Sequence, residues 1–337
     1  TALGCGSGGE GSAGSGGDEG LAGTGGQGGG VPGFGGSVGN GGQGGSGGEA
    51  GVGGEGGAGG AGGAFSPNPP LVIGSETRPA NVEIPSDYDP SVSYPLLLGL
   101  HGYGADGSNL ADYFQLWGFV DTKQLVLILP DGAPDADGLN AWNATEACCA
   151  SDPSIDDVGY LRNLIAEAKE TYNLDTARVY LMGHSNGGFM SFRMVCDASD
   201  VITAVVSVAG STFDDPADCQ PATVPVSALA VHGTLDDAVP YAGVPPDSGY
   251  SPFPGAIETI ERIAAAGGCD TSAATDLGPV DLVPSIPGSE TDRRGYLIGC
   301  DEGIDASLWT VQEGGHIPGF STGFGDMAID WLLDHSR

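Results

Sequence analysis

The sequence predicts an α/β fold in which helices cover both faces of a mostly parallel central sheet, preceded by a disordered glycine-rich tether. Short, continuously apolar runs alternate with amphipathic stretches, and each run ends in turn-forming residues. Runs that are apolar throughout suit strands buried on both faces, and their alternation with helices is typical of a parallel sheet. Glycine, in contrast, is concentrated at one end of the chain.

The tether is predicted from composition. Residues 1–64 hold 34 of the 63 glycines, together with five acidic residues and no Lys or Arg. Such a segment cannot bury enough apolar surface to offset its chain entropy. We therefore divide the chain into a disordered tether over 1–64 and one large domain over 65–337.

Six apolar runs in the domain are predicted strands: 96–100, 125–129, 178–182, 205–209, 226–231 and 308–312. Helices are predicted from a capping-box-like Ser154 to residue 172, and over 186–196, 257–266 and 327–335. In such sheets, functional residues lie on loops at the carboxyl ends of strands.

Charge argues against several classes of partner. The chain has 44 acidic and 10 basic residues, for a formal net charge of −34. A surface this acidic repels phosphate backbones and anionic lipid headgroups, so neither nucleic-acid binding nor peripheral membrane binding is expected.

The chain has seven cysteines, of which Cys5 stands apart near its start, and the even count of the other six suggests disulfides in an exported domain. Cys5, in Ala2-Leu3-Gly4-Cys5, resembles a bacterial lipoprotein cleavage site, which predicts a lipid anchor; the alternative is a cysteine without function in a linker. Cys196 is predicted to pair with Cys219, and Cys269 with Cys300, because each pair closes a moderate loop between consecutive elements. Adjacent Cys148 and Cys149 are left as a vicinal disulfide or as free thiols. No metal site is predicted, because the spacing fits no zinc motif.

The strongest chemical motif is Gly183-His184-Ser185-Asn186-Gly187, which follows a predicted strand and opens a predicted helix. The glycines permit a sharp turn that raises the Ser185 hydroxyl above the sheet edge, and the helix N-terminus directs its amides at a reacting carbonyl. We interpret Ser185 as a nucleophile. The alternative is an ordinary turn between a strand and a helix.

A serine hydroxyl needs a base, and a base needs an acid to orient it. His316 follows the last predicted strand on a glycine-rich loop and is the predicted base. Asp236 follows a strand between the serine and this histidine, as the hydrolase order requires. We prefer it to Asp237, whose side chain should project in another direction.

Two backbone N–H groups should stabilise the oxyanion of a tetrahedral intermediate. We assign them to Asn186, at the start of the helix, and to Tyr103, in the loop that follows the first predicted strand. Flanking glycines let this loop approach a substrate. His101, in the same loop, is interpreted as a brace without a proton-transfer role.

Several further motifs accompany these residues, in this order: Leu100-His101-Gly102-Tyr103-Gly104, Leu129-Pro130-Asp131-Gly132, Trp142-Asn143 before Cys148-Cys149, Asp156-Asp157-Val158-Gly159-Tyr160-Leu161, the segment 178–190, His232-Gly233-Thr234-x-Asp236, and Gly314-Gly315-His316-x-Pro318-Gly319. Over about residues 70–337 the chain resembles the secreted polyhydroxybutyrate depolymerase and feruloyl esterase family of α/β hydrolases. Ile317 departs from the family, which often has Thr-Trp between the histidine and Pro-Gly.

This resemblance implies an α/β-hydrolase catalytic domain with a Ser-His-Asp triad, an acyl-enzyme mechanism and no metal or organic cofactor. We expect a secreted or lipid-anchored monomer that hydrolyses a small or polymeric ester, foremost a feruloyl or acetyl ester of plant cell-wall polysaccharide. One alternative is a polyester depolymerase acting on polyhydroxyalkanoates; another is a catalytically silent scaffold displayed for binding. Trp142 and Tyr241, near the motif loops, are predicted to line the substrate pocket, with core packing as the alternative.

Overall fold

A computed structural model describes residues 65–149, 152–219 and 224–337, so the predicted tether and Cys5 lie outside the described residues. The strands of its large sheet are β1 (Val72–Ser75), β2 (Arg78–Glu83), β3 (Tyr94–Leu100), β4 (Val126–Pro130), β5 (Leu174–His184), β6 (Ala204–Val208), β7 (Ser227–Gly233), β8 (Thr275–Asp276), β9 (Thr291–Tyr296) and β10 (Ala306–Val311).

Helices and short hairpins connect these strands. The helices are α1 (Gly107–Phe114), α2 (Trp117–Thr122), α3 (Asp157–Thr171), α4 (Asn186–Asp197), α5 (Ala256–Ala266) and α6 (Thr322–Leu333), with a 3₁₀ turn at Pro216–Asp218. The hairpins pair Ala133–Pro134 with Asn140–Ala141, Asn143–Thr145 with Cys148–Cys149, and Gly243–Val244 with Phe253–Pro254.

The sheet order is β1-β2-β4-β3-β5-β6-β7-β10-β9-β8. Its six central strands, from β4 to β10, are parallel, and two antiparallel strands extend each edge. The six predicted strands are these six parallel ones. The edge strands were not predicted, because sequences such as Arg-Pro-Ala-Asn-Val-Glu in β2 contain no continuous apolar run.

The strand order places two loops side by side. From β3 the chain passes to β4 on one side and then to β5 on the other, so the direction of winding reverses between β3 and β5. The loops that follow these two strands therefore diverge from a common crevice at the carboxyl edge of the sheet. This crevice lies between the loop that contains Tyr103 and the turn that contains Ser185.

Two hydrophobic cores lie on opposite faces of the sheet. Leu96 and Leu98 of β3 pack with α3, α4 and α5, whereas the intervening Leu97 packs with α1, α2 and α6. This alternation is the two-residue period of a strand covered on both faces. It confirms the predicted fold class, a mostly parallel sheet with helices on both sides. No helix within the described ranges is long and apolar enough to cross a membrane.

Helix boundaries differ from the predictions at the start of α3 and at both ends of α6, which begins at Thr322 where 327 was predicted. The N-cap of α3 is Asp156, whose side chain accepts a hydrogen bond from the Gly159 amide at 2.7 Å; the proposed cap, Ser154, instead bonds to Asp152. Helix α6 ends at Leu333, before His335, which is partly buried.

The described cysteines form three disulfides. The predicted bonds Cys196–Cys219 and Cys269–Cys300 are both present. Cys148 and Cys149 form a vicinal disulfide, which was one of the two alternatives left open by the sequence.

Candidate active site

Ser185 occupies a tight turn between β5 and α4. Its backbone has φ 55° and ψ −119°. Residues other than glycine rarely adopt a positive φ, and such residues mark strained turns. Glycine is required on both sides. A Cβ on Gly187 would lie 1.9 Å from the Leu100 carbonyl oxygen, and a Cβ on Gly183 would lie 2.1 Å from the Gly187 carbonyl oxygen. The turn therefore packs directly against the end of β3.

The structure brings together the three side chains predicted as nucleophile, base and acid. His316 Nε2 lies 2.9 Å from Ser185 Oγ, and His316 Nδ1 lies 2.9 Å and 3.0 Å from the two Asp236 oxygens. An ionised carboxylate can only accept, so Nδ1 carries the imidazole proton and Nε2 is free to accept the serine proton. Asp236 is buried, whereas the rejected neighbour Asp237 is exposed.

Asp236 is held in its ionised form by several donors. The amides of residues 238 and 239 donate to Oδ1 at 3.0 Å and 2.8 Å. His232 Nε2 donates to the Val239 carbonyl at 2.8 Å and lies 3.4 Å from Asp236 Oδ2. Burial opposes ionisation, but the hydrogen bonds from His232 and His316 outweigh it and hold the Asp236 pKa well below its usual range.

His232 is a site residue that sequence reasoning left without a role. Its position before a glycine at the end of β7, four residues before the predicted acid, was the available signal. Its ring packs edge-on against Tyr241 at 5.6 Å, and the Tyr241 hydroxyl pairs with Thr310 Oγ1 at 2.8 Å. The ring of Tyr241 thus packs against His232, on the acid side of the site, and its place in a substrate pocket stays a prediction.

Trp142 is a packing residue, which was the alternative to a pocket wall left open by the sequence. The side chain has no exposed surface, and its indole N–H donates to the His101 carbonyl at 3.0 Å. Its backbone exchanges two hydrogen bonds with the Asn186 side chain, at 2.7 Å and 2.9 Å. These bonds fix Asn186, the first residue of α4. The backbone N–H groups in the first turn of a helix have no acceptor within the helix, so the Asn186 N–H can donate to another group.

His101 orients the loop that carries the second predicted oxyanion donor. Its Nδ1 donates to the Gly102 carbonyl at 2.7 Å, and its Nε2 accepts from the Gly132 amide at 2.9 Å. Burial lowers the His101 pKa, which keeps the ring neutral. Because a trans peptide points its N–H opposite its carbonyl, this bond directs the Tyr103 N–H away from His101. A Cβ on Gly102 would lie 3.4 Å from the Ser185 Cβ, so the loop adjoins the serine.

Exposed apolar side chains lie on the loops around these residues. Leu235 and Ile317, next in sequence to the predicted acid and base, are 65% and 66% exposed. Tyr103 and Leu139 are 41% and 40% exposed, and a Cβ on Gly104 would lie 3.9 Å from Leu139. The loops that carry the predicted acid, base and second oxyanion donor, together with the adjacent Leu139, therefore expose three aliphatic side chains and one tyrosine.

Comparisons with known proteins identify esterases as similar chains. The chain is 28% identical to a putative esterase, NocK, of Nocardia uniformis subsp. tsuyamanensis, over 66% of this chain and 64% of that protein. It is 26% identical to a probable feruloyl esterase C of Aspergillus niger, over 74% of this chain and 81% of that protein. It thus spans just under two thirds of the first relative. No protein-family model matches the chain.

The fold is similar to that of a solved acetyl xylan esterase from Aspergillus awamori, with a TM-score of 0.52 and 14% identity. The match covers 76% of this chain and 94% of that one. At this identity the likeness concerns the fold, which is the predicted α/β-hydrolase fold. The names of the sequence relatives bear out the predicted resemblance and the predicted class, a carboxylic ester hydrolase.

Proposed function

We propose that this chain is an exported serine carboxylic ester hydrolase that acts on a feruloyl or acetyl ester of plant cell-wall polysaccharide. The observation that carries the proposal is the pair of contacts made by His316, 2.9 Å to Ser185 Oγ and 2.9 Å to Asp236 Oδ2. These contacts are those required to activate a serine hydroxyl at neutral pH.

In the proposed mechanism, Ser185 Oγ attacks the ester carbonyl carbon while His316 Nε2 accepts its proton. The ionised Asp236 stabilises the imidazolium that results. The backbone N–H groups of Asn186 and Tyr103 donate to the oxyanion of the tetrahedral intermediate. His316 then gives its proton to the leaving alcohol. A water molecule activated by the same histidine releases the acid from Ser185.

The export proposal is supported by the disulfides, which form and persist in oxidising compartments. An anchor at Cys5 stays a prediction from the sequence. The cell-wall substrate is supported by the relative named as a feruloyl esterase. With Trp142 buried and Tyr241 packed against His232, the side chain proposed to contact an aromatic acyl group is the exposed Tyr103.

A second candidate, a polyester depolymerase, is favoured by the exposed aliphatic side chains on the loops around the proposed triad. Leu139, Leu235 and Ile317 would place aliphatic surface against a neutral polymer chain, and such a polymer carries no charge for the acidic protein to repel. The third expectation, a silent binding scaffold, is disfavoured by the close contacts of the proposed triad.

The test compares rates of the full chain on methyl ferulate and on a soluble 3-hydroxybutyrate oligomer, with Ser185→Ala as the blank. A strong preference for ferulate supports the cell-wall ester, and a preference for the oligomer supports the depolymerase. A fluorophosphonate probe should label the folded wild type and not Ser185→Ala. Failure to label, with no turnover of either ester, would refute the hydrolase proposal and favour the scaffold.

A further inference from the structure

The loop that carries His316 has little intrinsic rigidity. Three of its residues, Gly314, Gly315 and Gly319, are glycines, and a Cβ built on Gly315 or Gly319 would meet no atom within 4 Å. Ile317, between the histidine and the last glycine, is 66% exposed. Gly314, at the start of the loop, is buried, and its carbonyl oxygen accepts from the Leu235 amide at 2.8 Å. Beyond it, positions 315, 317 and 319 face open space, so the place of the imidazole depends on hydrogen bonds from other elements.

Two side chains from distant elements donate to the backbone of this loop. His184 Nε2 lies 3.0 Å from the His316 carbonyl oxygen, and the Tyr113 hydroxyl donates to the Pro318 carbonyl oxygen at 2.9 Å. We propose that Tyr113 and His184 form a clamp that positions His316 for proton transfer with Ser185. The inference rests on the proposed hydrolase function and adds positioning residues to it.

The two donors are parts of one packed assembly. Their rings meet edge-on at 5.1 Å, and the His184 ring also lies 5.0 Å from that of His316. The ring of Phe114, from the same helix as Tyr113, packs edge-on against His184 at 6.5 Å. Removing either donor should therefore disturb the other.

His184 also links the base to the nucleophile, because it is the residue directly before Ser185. A hydrogen bond from this position ties the His316 backbone to the same turn that sets the serine hydroxyl. The relative position of the two reacting groups then does not depend on the flexible glycines of the loop. This matters because a misplacement of about 1 Å can cost on the order of 100-fold in rate.

Both donors keep their protons at neutral pH. A carbonyl oxygen only accepts, so the proton of His184 must be on Nε2. Burial lowers the pKa of His184 to about 4, so the ring stays neutral. Burial, with a smaller contribution from the charge of Asp236, raises the pKa of Tyr113 far above its ordinary value. The hydroxyl therefore stays a donor.

The test removes the hydroxyl and keeps the ring, in Tyr113→Phe. The matched control is Tyr180→Phe, because the buried Tyr180 also donates its hydroxyl to a carbonyl, that of His335 at 2.5 Å. We expect kcat on p-nitrophenyl acetate to fall roughly 10-fold in Tyr113→Phe, as for one lost hydrogen bond, with KM nearly unchanged. Tyr180→Phe should keep the kcat of the wild type, even if its melting temperature falls as much as that of Tyr113→Phe.

A double-mutant cycle with His184→Leu tests whether the two donors act together. We expect the double variant to lose less kcat than the product of the two single losses. Independent, multiplicative losses would overturn the clamp as a single unit. A kcat of Tyr113→Phe within twofold of wild type would overturn the positioning role.

Hydrogen exchange of the peptide covering residues 313–321 provides a readout that does not need activity. Tyr113→Phe should speed exchange there, and Tyr180→Phe should not. If the wild type hydrolyses no ester but Tyr113→Phe still exchanges faster over this peptide, the proposed function is refuted and the clamp stands. Unchanged exchange would refute the clamp whatever the activity.

Discussion

The turn at Ser185 and the loop at His316 place two reacting groups within 2.9 Å by different means. The turn lies between a long strand and a helix, and the neighbouring glycines press it against the end of β3. In the loop, the side-chain positions of Gly315 and Gly319 face open space, and Ile317 is exposed. One group is fixed by the secondary structure on both sides of it, whereas the other is fixed by side chains that reach it from distant elements.

This difference suggests a division of labour. The turn stores backbone strain that the surrounding sheet can hold, and this keeps the half-buried nucleophile at a defined height above the sheet edge. The base must accept a proton, release it and make room for an alcohol and then a water molecule, and a loop held at a few points can do this. We therefore expect the turn to be intolerant of added volume and the loop to tolerate it at Gly315 and Gly319, while both regions are equally necessary for activity.

The largest effect is expected from removing either reacting group. Ser185→Ala and His316→Ala should each lower kcat by about 10⁴-fold or more, and the double variant should lose little beyond either single one, because the groups act as a unit. Single-turnover rates on p-nitrophenyl acetate measure this. Losses that multiply in the double variant would contradict a shared proton-transfer step.

The next largest effect is on stability, and it distinguishes the turn from the loop by their tolerance of an added methyl group. Gly187→Ala places a Cβ 1.9 Å from the Leu100 carbonyl and should destabilise the domain by about 3 kcal/mol or more, since backbone cannot move aside cheaply. Gly315→Ala meets open space and should stay within about 0.5 kcal/mol of wild type. Urea unfolding of the two variants compares them directly. Equal destabilisation would contradict the contrast between turn and loop.

A pH-dependent effect is expected from Asp236. Its folded pKa lies below the ordinary value of 3.8, so its ionised form stabilises the fold above that pH. This contribution is lost as the pH falls from about 4 toward the folded pKa. Wild type should therefore exceed Asp236→Asn in stability by a constant margin from pH 7 to 5, and the margin should narrow below pH 4.

The control for this titration is Asp237→Asn, which removes an exposed acid from the same loop. Thermal unfolding across the pH series measures both variants. A margin for Asp236→Asn that widens in acid would mean that the carboxyl is not held ionised in the fold.

The smallest effect on activity is expected from replacing His232, which lies beside Asp236. His232→Leu removes a donor 3.4 Å from Asp236 Oδ2 and 2.8 Å from the Val239 carbonyl, which loosens the acid but leaves its contact with His316. We expect a loss of about 10-fold in kcat/KM, equivalent to about 1.4 kcal/mol. His335→Gln, at the end of the chain, should stay within twofold. Equal losses in both variants would assign His232 to general stability.

Much of the site could be predicted from the sequence. The central strands are apolar over their whole length, so the loop that follows each one could be located, and Ser185, Asp236 and His316 each follow such a strand. The choice of Asp236 over Asp237 agrees with the burial of the first and the exposure of the second. The edge strands were missed because their polar or mixed sequences lack the continuous apolar run that identified the central strands, and the short helices α1 and α2 were missed as well.

The direction of single aromatic side chains could not be predicted. Trp142 and Tyr241 are near the right motifs in sequence, yet one is fully buried under the helix start and the other packs against His232. Proximity along the chain does not say which face of a loop a ring occupies. That depends on cavities formed by residues far away in sequence.

The sequence by itself determined the parallel sheet, the sharp turn and the order of serine, acid and histidine, because apolar runs and glycine turns are local patterns. Only the tertiary structure decided what holds the histidine in place. Tyr113 and Pro318 are 205 residues apart, and His184 and His316 are 132 apart. Their hydrogen bonds exist because the reversal of winding between β3 and β5 brings α1, the turn and the last loop to one edge of the sheet.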